Sequence, residues 1–524
     1  MIDSKPSSHA VYFDIATDGG GGLSLAGPPV QVPLGAELKL SHRSAGALDL
    51  ELRLLPSPAK DTELIAEVWG DLTLSLTLTL TPTPTLAPNP HPNPNPNQVW
   101  GDGVRLARQP LGDKVGGKVL PASLFGPPAF SPSGQRIAWV AERPYEAAQA
   151  PGYWAAEKSP PPTKPPPAAR DKYALRRGLG EALGVGNAAL VVWDWALGEL
   201  SVHYAEDLLP PEECGPMTVP SAVIWDGSEQ GLVFAAHHLP ARGAGLVACL
   251  NRPTRLYHLP SLPPNAATAA AAEAAAEVAV DAAAAADATA ASADAAAAAT
   301  AAAADAPAAV KARCLSPSLY LAHLPKLSPD GRTLAFYAAA RPFAAHATAL
   351  ELRTMPWPPT DAADAAASAT AADADANGAV LLPVHRGPPE AEDGWAGLCG
   401  FHAEHQVGGW LRPGVLALAT IAAGERACFV CDTGTVTAAA GRRRVAPPGW
   451  ERGRGSVDLL RAAEGLIVVQ CSNIATPAQV WACRVGGTAE KDAWVQLADA
   501  ATLRAPPAAA LAPARASVAA ALAG

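Results

Sequence analysis

Aromatic side chains, net positive charge and long apolar runs are all scarce in this sequence. Aromatic residues make up 6% of the 524 residues, and the 49 Asp and Glu residues outnumber the 39 Lys and Arg residues, which gives a formal net charge of −10. This balance argues against a nucleic-acid-binding face, because binding phosphates requires clustered Lys and Arg. No stretch approaches the roughly 18 bulky apolar residues that span a bilayer. We therefore expect neither nucleic acid nor a membrane as a partner.

Export signals and paired cysteines are scarce as well. The N-terminal stretch has no apolar core of a secretory signal and carries Asp3 and Asp14. The eight cysteines lie mostly far apart, so we expect reduced thiols and a cytoplasmic protein. Cys428 and Cys431 form a C-x-x-C pair on a predicted strand, where residues three apart face opposite sides. We expect one of these sulfurs to be buried and the other not, as structural packing and not as a zinc site.

Four low-complexity stretches interrupt the chain, and each is dominated by a few residue types such as Ala, Pro, Asp and Thr. They are residues 72–97, 159–169, 266–309 and 361–377. None of the alanine-rich stretches offers the Leu or Ile stripe with which a helix docks on a core. We interpret the four stretches as insertions, whether helical or disordered. The expected organisation is a poorly ordered region 1–47, a folded region 48–485 and an Ala/Pro-rich tail 486–524.

Between these insertions the apolar residues alternate with period two and turn residues recur. Phe130–Val140 has the pattern strand, turn, strand around Ser-Pro-Ser-Gly, and Leu327–Tyr337 repeats it around Ser-Pro-Asp-Gly. An Asp-Gly pair accepts the positive φ angles of a tight hairpin, so we expect Gly331 to have a positive φ. Weaker copies begin near Ile224, Gly409 and Val457. Second hairpins are predicted at 189–203 and 427–437.

Two hairpins make a four-stranded antiparallel sheet, and the repetition of such a sheet predicts an all-β chain that forms a β-propeller. A β-sandwich also has short strands, but it would not restart the same hairpin in every unit. We expect about five to seven blades, some of them incomplete. The predicted blades are 123–204, 218–259, 323–384, 395–437 and 456–485, with a damaged one near 48–70.

Several further segments are more specific than the hairpins. They are Gly231–His238, Gly245–Tyr257 with its Cys, Asn, Arg and Leu-Tyr residues, Leu324–Asp330, the Gly-Thr-Val-Thr run Gly434–Thr437 and Ser472–Pro477. In this order they resemble the propeller of acylamino-acid-releasing enzymes (acylaminoacyl-peptidases), which are serine peptidases of the prolyl oligopeptidase family. The resemblance covers roughly residues 63–485, with the insertions skipped.

The resemblance implies a propeller that admits short N-acylated peptides to a hydrolase domain and excludes folded proteins. That chemistry needs a Gly-x-Ser-x-Gly elbow followed by an Asp and a His. The sequence has no such elbow, since Gly22-Leu23-Ser24 and the stretch 453–456 lack the flanking pattern. We therefore expect no catalytic residue, no cofactor and no metal ligand, and an α/β-hydrolase domain that is absent from this chain.

The expected partners are short N-acylated peptides or a separate hydrolase domain, with a homo-oligomer left open. The alternative function is a stand-alone propeller that binds proteins or peptides without catalysis.

Arg252 is the polar residue that we single out as a candidate for lining the central tunnel, against the alternative of a structural ion pair. It lies in the best-matched segment. His237 and His238 end a predicted strand, where paired histidines are ordinary. His402 and His405 have metal-like spacing only on a helix, whereas their Gly-rich surroundings predict a loop.

Two groups of large side chains have structural interpretations. Tryptophans on predicted strands are expected to pack blades together instead of stacking on a ligand; they include Trp139, Trp193, Trp225 and Trp410. The basic run 442–444 is expected to be a solvated loop.

Overall fold

The structure is a computed structural model of the chain. It describes residues 9–12, 15–17, 23–25, 30–33, 40–43, 51–56, 64–71, 103–111, 114–115, 120–143, 188–215, 217–239, 246, 251–262, 310–342, 350–359, 378–384, 395, 397–399, 408–422, 424–434, 441–473, 475–476 and 478–498. The four low-complexity insertions, His402, His405 and most of the predicted tail lie outside the described residues.

The fold is all-β and propeller-like: within the described residues, six four-stranded antiparallel units follow one another along the chain. Four short strands come first, and they pair β1 with β4 and β2 with β3: β1 (His9–Tyr12), β2 (Ile15–Thr17), β3 (Leu23–Leu25) and β4 (Val30–Pro33).

Each blade takes its four strands in chain order. Blade 1 is β5 (Leu40–Arg43), β6 (Glu51–Pro56), β7 (Leu64–Asp71) and β8 (Gly103–Pro110); blade 2 is β9 (Ala129–Phe130), β10 (Arg136–Glu142), β11 (Ala188–Asp194) and β12 (Glu199–His203); blade 3 is β13 (Thr218–Trp225), β14 (Leu232–His238), β15 (Thr254–Leu259) and β16 (Arg313–Cys314); blade 4 is β17 (Leu321–Leu327), β18 (Thr333–Ala339), β19 (Glu351–Pro356) and β20 (Ala379–Leu382); blade 5 is β21 (Gly409–Arg412), β22 (Val415–Ala422), β23 (Glu425–Asp432) and β24 (Arg442–Val445); blade 6 is β25 (Ser456–Ala463), β26 (Leu466–Ser472), β27 (Gln479–Arg484) and β28 (Ala493–Ala498).

Within the described residues, helix is confined to single turns. They are α1 (Ala122–Phe125), α2 (Ala205–Leu208) and a 3-10 turn, Ala489–Lys491.

The blade boundaries differ in places from those predicted. Blade 1 begins at Leu40 and takes its fourth strand from beyond the insertion 72–97, so it has four strands where we expected a damaged unit. Blade 6 extends to Ala498, beyond the predicted end at 485. The described partner of β23 on this side is Arg442–Val445, whereas the predicted hairpin partner 435–437 lies outside the described residues.

A glycine of positive φ marks the first turn of blades 2 to 6. These are Gly134, Gly227, Gly331, Gly414 and Gly465, with φ between 67° and 96°. In the turn of blade 4 the Gly331 N–H donates to the Ser328 carbonyl at 2.9 Å. The Ser328 hydroxyl oxygen accepts the Thr333 N–H at 2.9 Å. The predicted hairpin and the positive φ of Gly331, which is 67°, are confirmed.

The core lies between neighbouring blades, since each inner sheet is covered on both faces. In blade 5, Cys428 packs with residues of blade 6, whereas Cys431 packs with residues of blade 4. The two thiols do face opposite sides, but both are 0% exposed. The expectation that one of them would be solvent-exposed was wrong, because a stacked sheet has no solvent face.

From blade 2 to blade 6, the first strand of each blade contacts the first strand of the next blade. Such contacts join β9 with β13, β13 with β17, β17 with β21 and β21 with β25. Blades 3 and 4 are also joined by a single parallel pair, Thr254 with Leu321. The first strands of blades 3 to 6 are each interrupted by a bulge.

Replacing Gly331 with valine is expected to lower the free energy of unfolding by about 1–3 kcal/mol, because a β-branched residue is strained at a positive φ. A Cβ at this position would meet nothing within 4 Å, so the loss would report backbone strain and not a collision. Urea-induced unfolding measures it. The matched control is Gly487→Val, at a glycine that is equally open but has no positive φ. Equal stability of the two variants would contradict the hairpin geometry.

Candidate functional site

Polar side chains concentrate where blade 3 meets blade 4, around the connection from β14 to β15 that carries Arg252. Arg252 is half-buried there, and its carbonyl accepts the Thr254 hydroxyl at 3.0 Å. The neighbouring Asn251 carbonyl accepts the Tyr320 hydroxyl at 2.9 Å. Arg252 thus belongs to a connection between the second and third strands of its blade. Its role in lining a tunnel stays a prediction.

A buried polar cluster lies beside this connection. Ser221 and His323, one from the first strand of each blade, are joined by a 3.3 Å contact between Oγ and Nε2. The His237 Nδ1 lies 2.7 Å from the Thr254 hydroxyl, and the His237 and His323 rings are 5.2 Å apart. Ser221 is 0% exposed. A nucleophile must be reachable by its substrate, so this serine–histidine contact serves the seam between blades.

His238, which follows His237 at the end of β14, points to the other face of the sheet. The Tyr257 hydroxyl donates to Glu213 Oε2 at 2.9 Å, and therefore it accepts from His238 Nε2, also at 2.9 Å. Arg255 donates to the same Glu213 oxygen at 2.7 Å. Burial lowers the pKa of His238, the Arg255 charge lowers it further, and Glu213 opposes both. This network holds the segment before β13 against blade 3.

Two other places bring a serine, a histidine and a carboxylate together, and neither has the order of a catalytic triad. Ser201 Oγ lies 3.0 Å from His203 Nε2, but the Asp207 carboxylate accepts the Tyr204 N–H. At the first turn of blade 3, the Asp226 carboxylate binds both the histidine and the serine, His258 Nε2 at 3.0 Å and Ser228 Oγ at 2.6 Å. In a triad the histidine, not the carboxylate, stands in the middle.

Lys326 is a cation whose ammonium lies between blades 4 and 5. Its ammonium donates to the Gly408 carbonyl of the next blade, and burial lowers its pKa to about 8. It is therefore mostly protonated at pH 7. The adjoining cavity, walled by Leu324, Phe336 and Leu418, has a volume of about 10 Å³. That space holds roughly one water, so it does not form a ligand pocket.

The tryptophans pack between blades, as predicted. Trp225 Nε1 donates to the Ala129 carbonyl of blade 2, and Trp410 Nε1 donates to the Lys326 carbonyl of blade 4, each at 2.9 Å. Both are first-strand tryptophans that bind the first strand of the preceding blade. Trp139 and Trp193 are also buried, but their Nε1 atoms have no hydrogen-bond partner.

The basic run is not the solvated loop that we expected. Arg442–Val445 forms the outer strand of blade 5. Arg443 donates to both carboxylate oxygens of Asp492 in blade 6, at 2.5 and 2.7 Å, and Arg444 donates to Glu425 at 3.0 Å. Arg443 thus bridges blades 5 and 6, whereas Arg444 joins two strands of blade 5, and both charges are paired.

The described residues hold no group of three or more His, Cys, Asp or Glu side chains able to bind a metal ion. In the same part of the chain, no helix has the length and apolar character required to cross a bilayer.

Comparison with known proteins gives no match by sequence. No family model matches, and no curated protein matches. Solved structures do resemble the fold: prolyl oligopeptidase B from Galerina marginata bound to a 35mer substrate (9% identity, TM-score 0.42, 90% of this chain and 44% of that chain) and Pyrococcus horikoshii acylaminoacyl peptidase (9%, 0.41, 91% and 47%). Porphyromonas gingivalis dipeptidyl peptidase 4 is a third (11%, 0.38, 95% and 52%).

This chain thus spans about half the length of those proteins or less. Likeness at these identities and TM-scores carries no argument about activity.

The Trp410 bond between blades 4 and 5 predicts a measurable difference between two tryptophans. Trp410→Phe leaves the Lys326 carbonyl without this donor and is expected to cost about 1 kcal/mol more than the loss of ring volume alone. Trp139→Phe is the matched control, because the Trp139 Nε1 has no partner to lose. Chemical unfolding compares them. Similar losses in both variants would show that the indole N–H bond adds nothing to the seam.

The lowered pKa of His238 predicts acid sensitivity. The unfolded chain, in which histidine has a pKa near 6.5, binds more protons than the folded one below about pH 7, so stability falls as the pH drops. His238→Gln keeps an N–H donor for Tyr257 and is expected to weaken this fall between pH 7 and 5. Unfolding free energies across that range test it. His203→Gln provides a second variant, at another histidine whose pKa is lowered by burial. An unchanged slope in His238→Gln would contradict the assignment.

Proposed function

We propose that this chain is the propeller part of an acylaminoacyl-peptidase-like serine peptidase. Its role is to gate and position short N-acylated peptides for a hydrolase domain. The observation that carries the proposal is the order of the segments that resemble that family. Gly231–His238 supplies the second strand of blade 3, and Leu324–Asp330 supplies the second half of the first strand of blade 4 with the beginning of its turn. Family-like segments thus occupy successive core positions of one repeated architecture.

Rigidity at the seams supports a filtering role. At the first turns of blades 2 and 3, the Glu229 carboxylate accepts the Ser133 N–H at 2.6 Å and the Ser133 hydroxyl at 2.9 Å. Arg136 donates to the Glu229 carbonyl at 2.7 Å. Blades locked together in this way keep a passage of fixed width, which admits a short flexible peptide and excludes a folded protein.

A cytoplasmic location and assembly with a hydrolase domain or with further copies of the chain belong to the same proposal. All the described cysteines are free thiols, which suits a reducing compartment.

The purified chain is expected not to hydrolyse acetyl-alanyl chromogenic substrates and not to react with a fluorophosphonate serine probe. Acyl transfer needs a reachable nucleophile, a base and an oxyanion hole, whereas the Ser221–His323 pair is enclosed. An active acylaminoacyl peptidase serves as the positive control. Labelling that is lost in Ser221→Ala would overturn the non-catalytic role of these blades.

Co-expression with a hydrolase domain of the same family is expected to yield a complex that turns over acetyl-alanyl substrates. Failure to form any such complex, together with retained peptide binding, would favour the stand-alone binding propeller.

A further inference from the structure

The four short strands that precede blade 1 are nested. β1 pairs antiparallel with β4, and β2 pairs antiparallel with β3. Because β2 and β3 lie between β1 and β4 in the sequence, the two pairs belong to one hairpin, with β2 and β3 at its closed end. We call the strands β1 to β4 the N-terminal hairpin.

The open end of the N-terminal hairpin is tethered to blade 1. β4 ends at Pro33, and the first strand of blade 1 begins at Leu40. Extended chain of this length spans at most about 25 Å. Blade 1 itself is part of the stack, since Ala66 on its third strand packs with Trp139 of blade 2. The chain therefore keeps the open end of the hairpin near the first blade.

The closed end of the N-terminal hairpin reaches the last blade. β3 contacts β28, which is the fourth and outermost strand of blade 6. The first and fourth strands of a blade are about 15 Å apart, because neighbouring strands lie 4.7–4.9 Å from each other. The stretch from Leu25 to Leu40 is long enough to cover this distance and more. The hairpin thus has one end at blade 1 and the other at blade 6.

β28 is a strand that needs a cover. Within its sheet it has one neighbour, β27, and an open strand edge is prone to pair with other chains. Leu497 on this strand is nevertheless only 4% exposed, and Ala493–Val495 are half-buried, whereas Gln496 is exposed. Among the described residues, Leu497 lies outside the buried cluster that blades 5 and 6 share. The contact with β3 brings the N-terminal hairpin to this strand.

We propose that the N-terminal hairpin is a clasp that docks on β28 and ties the last blade to the first. Contacts between first strands already join blades 2 to 6 in order, and blade 1 packs on blade 2. The clasp adds the link from blade 6 to blade 1 and so closes the stack into a ring. Its consequence for gating rests on the proposed function: a closed ring holds the peptide passage at one width.

Thiol crosslinking in the full 524-residue chain tests the docking directly. Ser24→Cys on β3 is combined with Gln496→Cys on β28, and the protein is treated with a short bis-maleimide before peptide mass spectrometry. The matched control combines Ser24→Cys with Ala379→Cys, at an exposed residue on the fourth strand of blade 4. We expect the crosslink from 24 to 496 to form at least about tenfold more than that from 24 to 379. Equal yields, or no crosslink to 496, overturn the clasp.

Amide hydrogen exchange tests whether the hairpin protects blade 6. Ser24→Pro removes an N–H from β3 opposite Ala16 and disfavours the paired strand, whereas Ser24→Ala keeps the N–H as the control. Exchange in Ala493–Ala498 is expected to be about tenfold faster in Ser24→Pro than in Ser24→Ala, with β14 of blade 3 unchanged. Unchanged exchange in β28, or an equal rise in β14, overturns the inference.

Neither experiment uses a peptide, so the two proposals fail separately. Loss of the clasp in both experiments leaves peptide gating by the blades standing. Absence of peptide binding by a chain that crosslinks as expected overturns the proposed function and leaves the clasp in place.

Discussion

The inner blades of this stack, blades 2 to 5, depend on their neighbours to cover both of their faces. An isolated four-stranded sheet with two apolar faces would expose both of them to water, and stacking the sheets removes that cost. Phe429 of blade 5 packs with Phe336 of blade 4 on one side of the sheet, while Val430 packs with Val469 of blade 6 on the other. The free energy that holds any one blade is therefore located in the seams and not within a single sheet.

Polar groups occupy these seams where the chain supplies partners for them. Tryptophan N–H groups bind carbonyls of the preceding blade, and arginines of blade 5 reach carboxylates such as Asp492, whose side chain is only 4% exposed. Charge-assisted bonds of this kind fix one register between sheets whose apolar faces alone would tolerate sliding. Rigid seams are also what a size filter needs.

The repeat was predictable from sequence because it rests on local rules. Alternating apolar residues and a glycine at each first turn require no knowledge of distant contacts, and Gly331 adopts the positive φ that its Asp-Gly turn demands. What could not be predicted depends on the stacking itself. Cys428 and Arg443 look like a half-exposed thiol and a loop cation until a second sheet is placed against each of them.

The bulges of the first strands were not predicted for a related reason. A bulge inserts one residue into a strand, and the alternation of apolar and polar residues shows this only weakly. Lys326 and Arg461 become equivalent once the strand register shows where pairing resumes. Arg252, by contrast, was selected from a resemblance, and its connection lies beside the start of the first strand of blade 4.

A double-mutant cycle on Arg443 and Asp492 tests most directly whether the seams hold this fold together. The pair joins the outer strand of blade 5 to the last turn of blade 6 through two hydrogen bonds of 2.5 and 2.7 Å. Arg443→Gln, Asp492→Asn and the double variant are compared by urea unfolding. We predict a coupling energy above about 1 kcal/mol, whereas changes that add within roughly 0.3–0.5 kcal/mol would contradict the stacked arrangement.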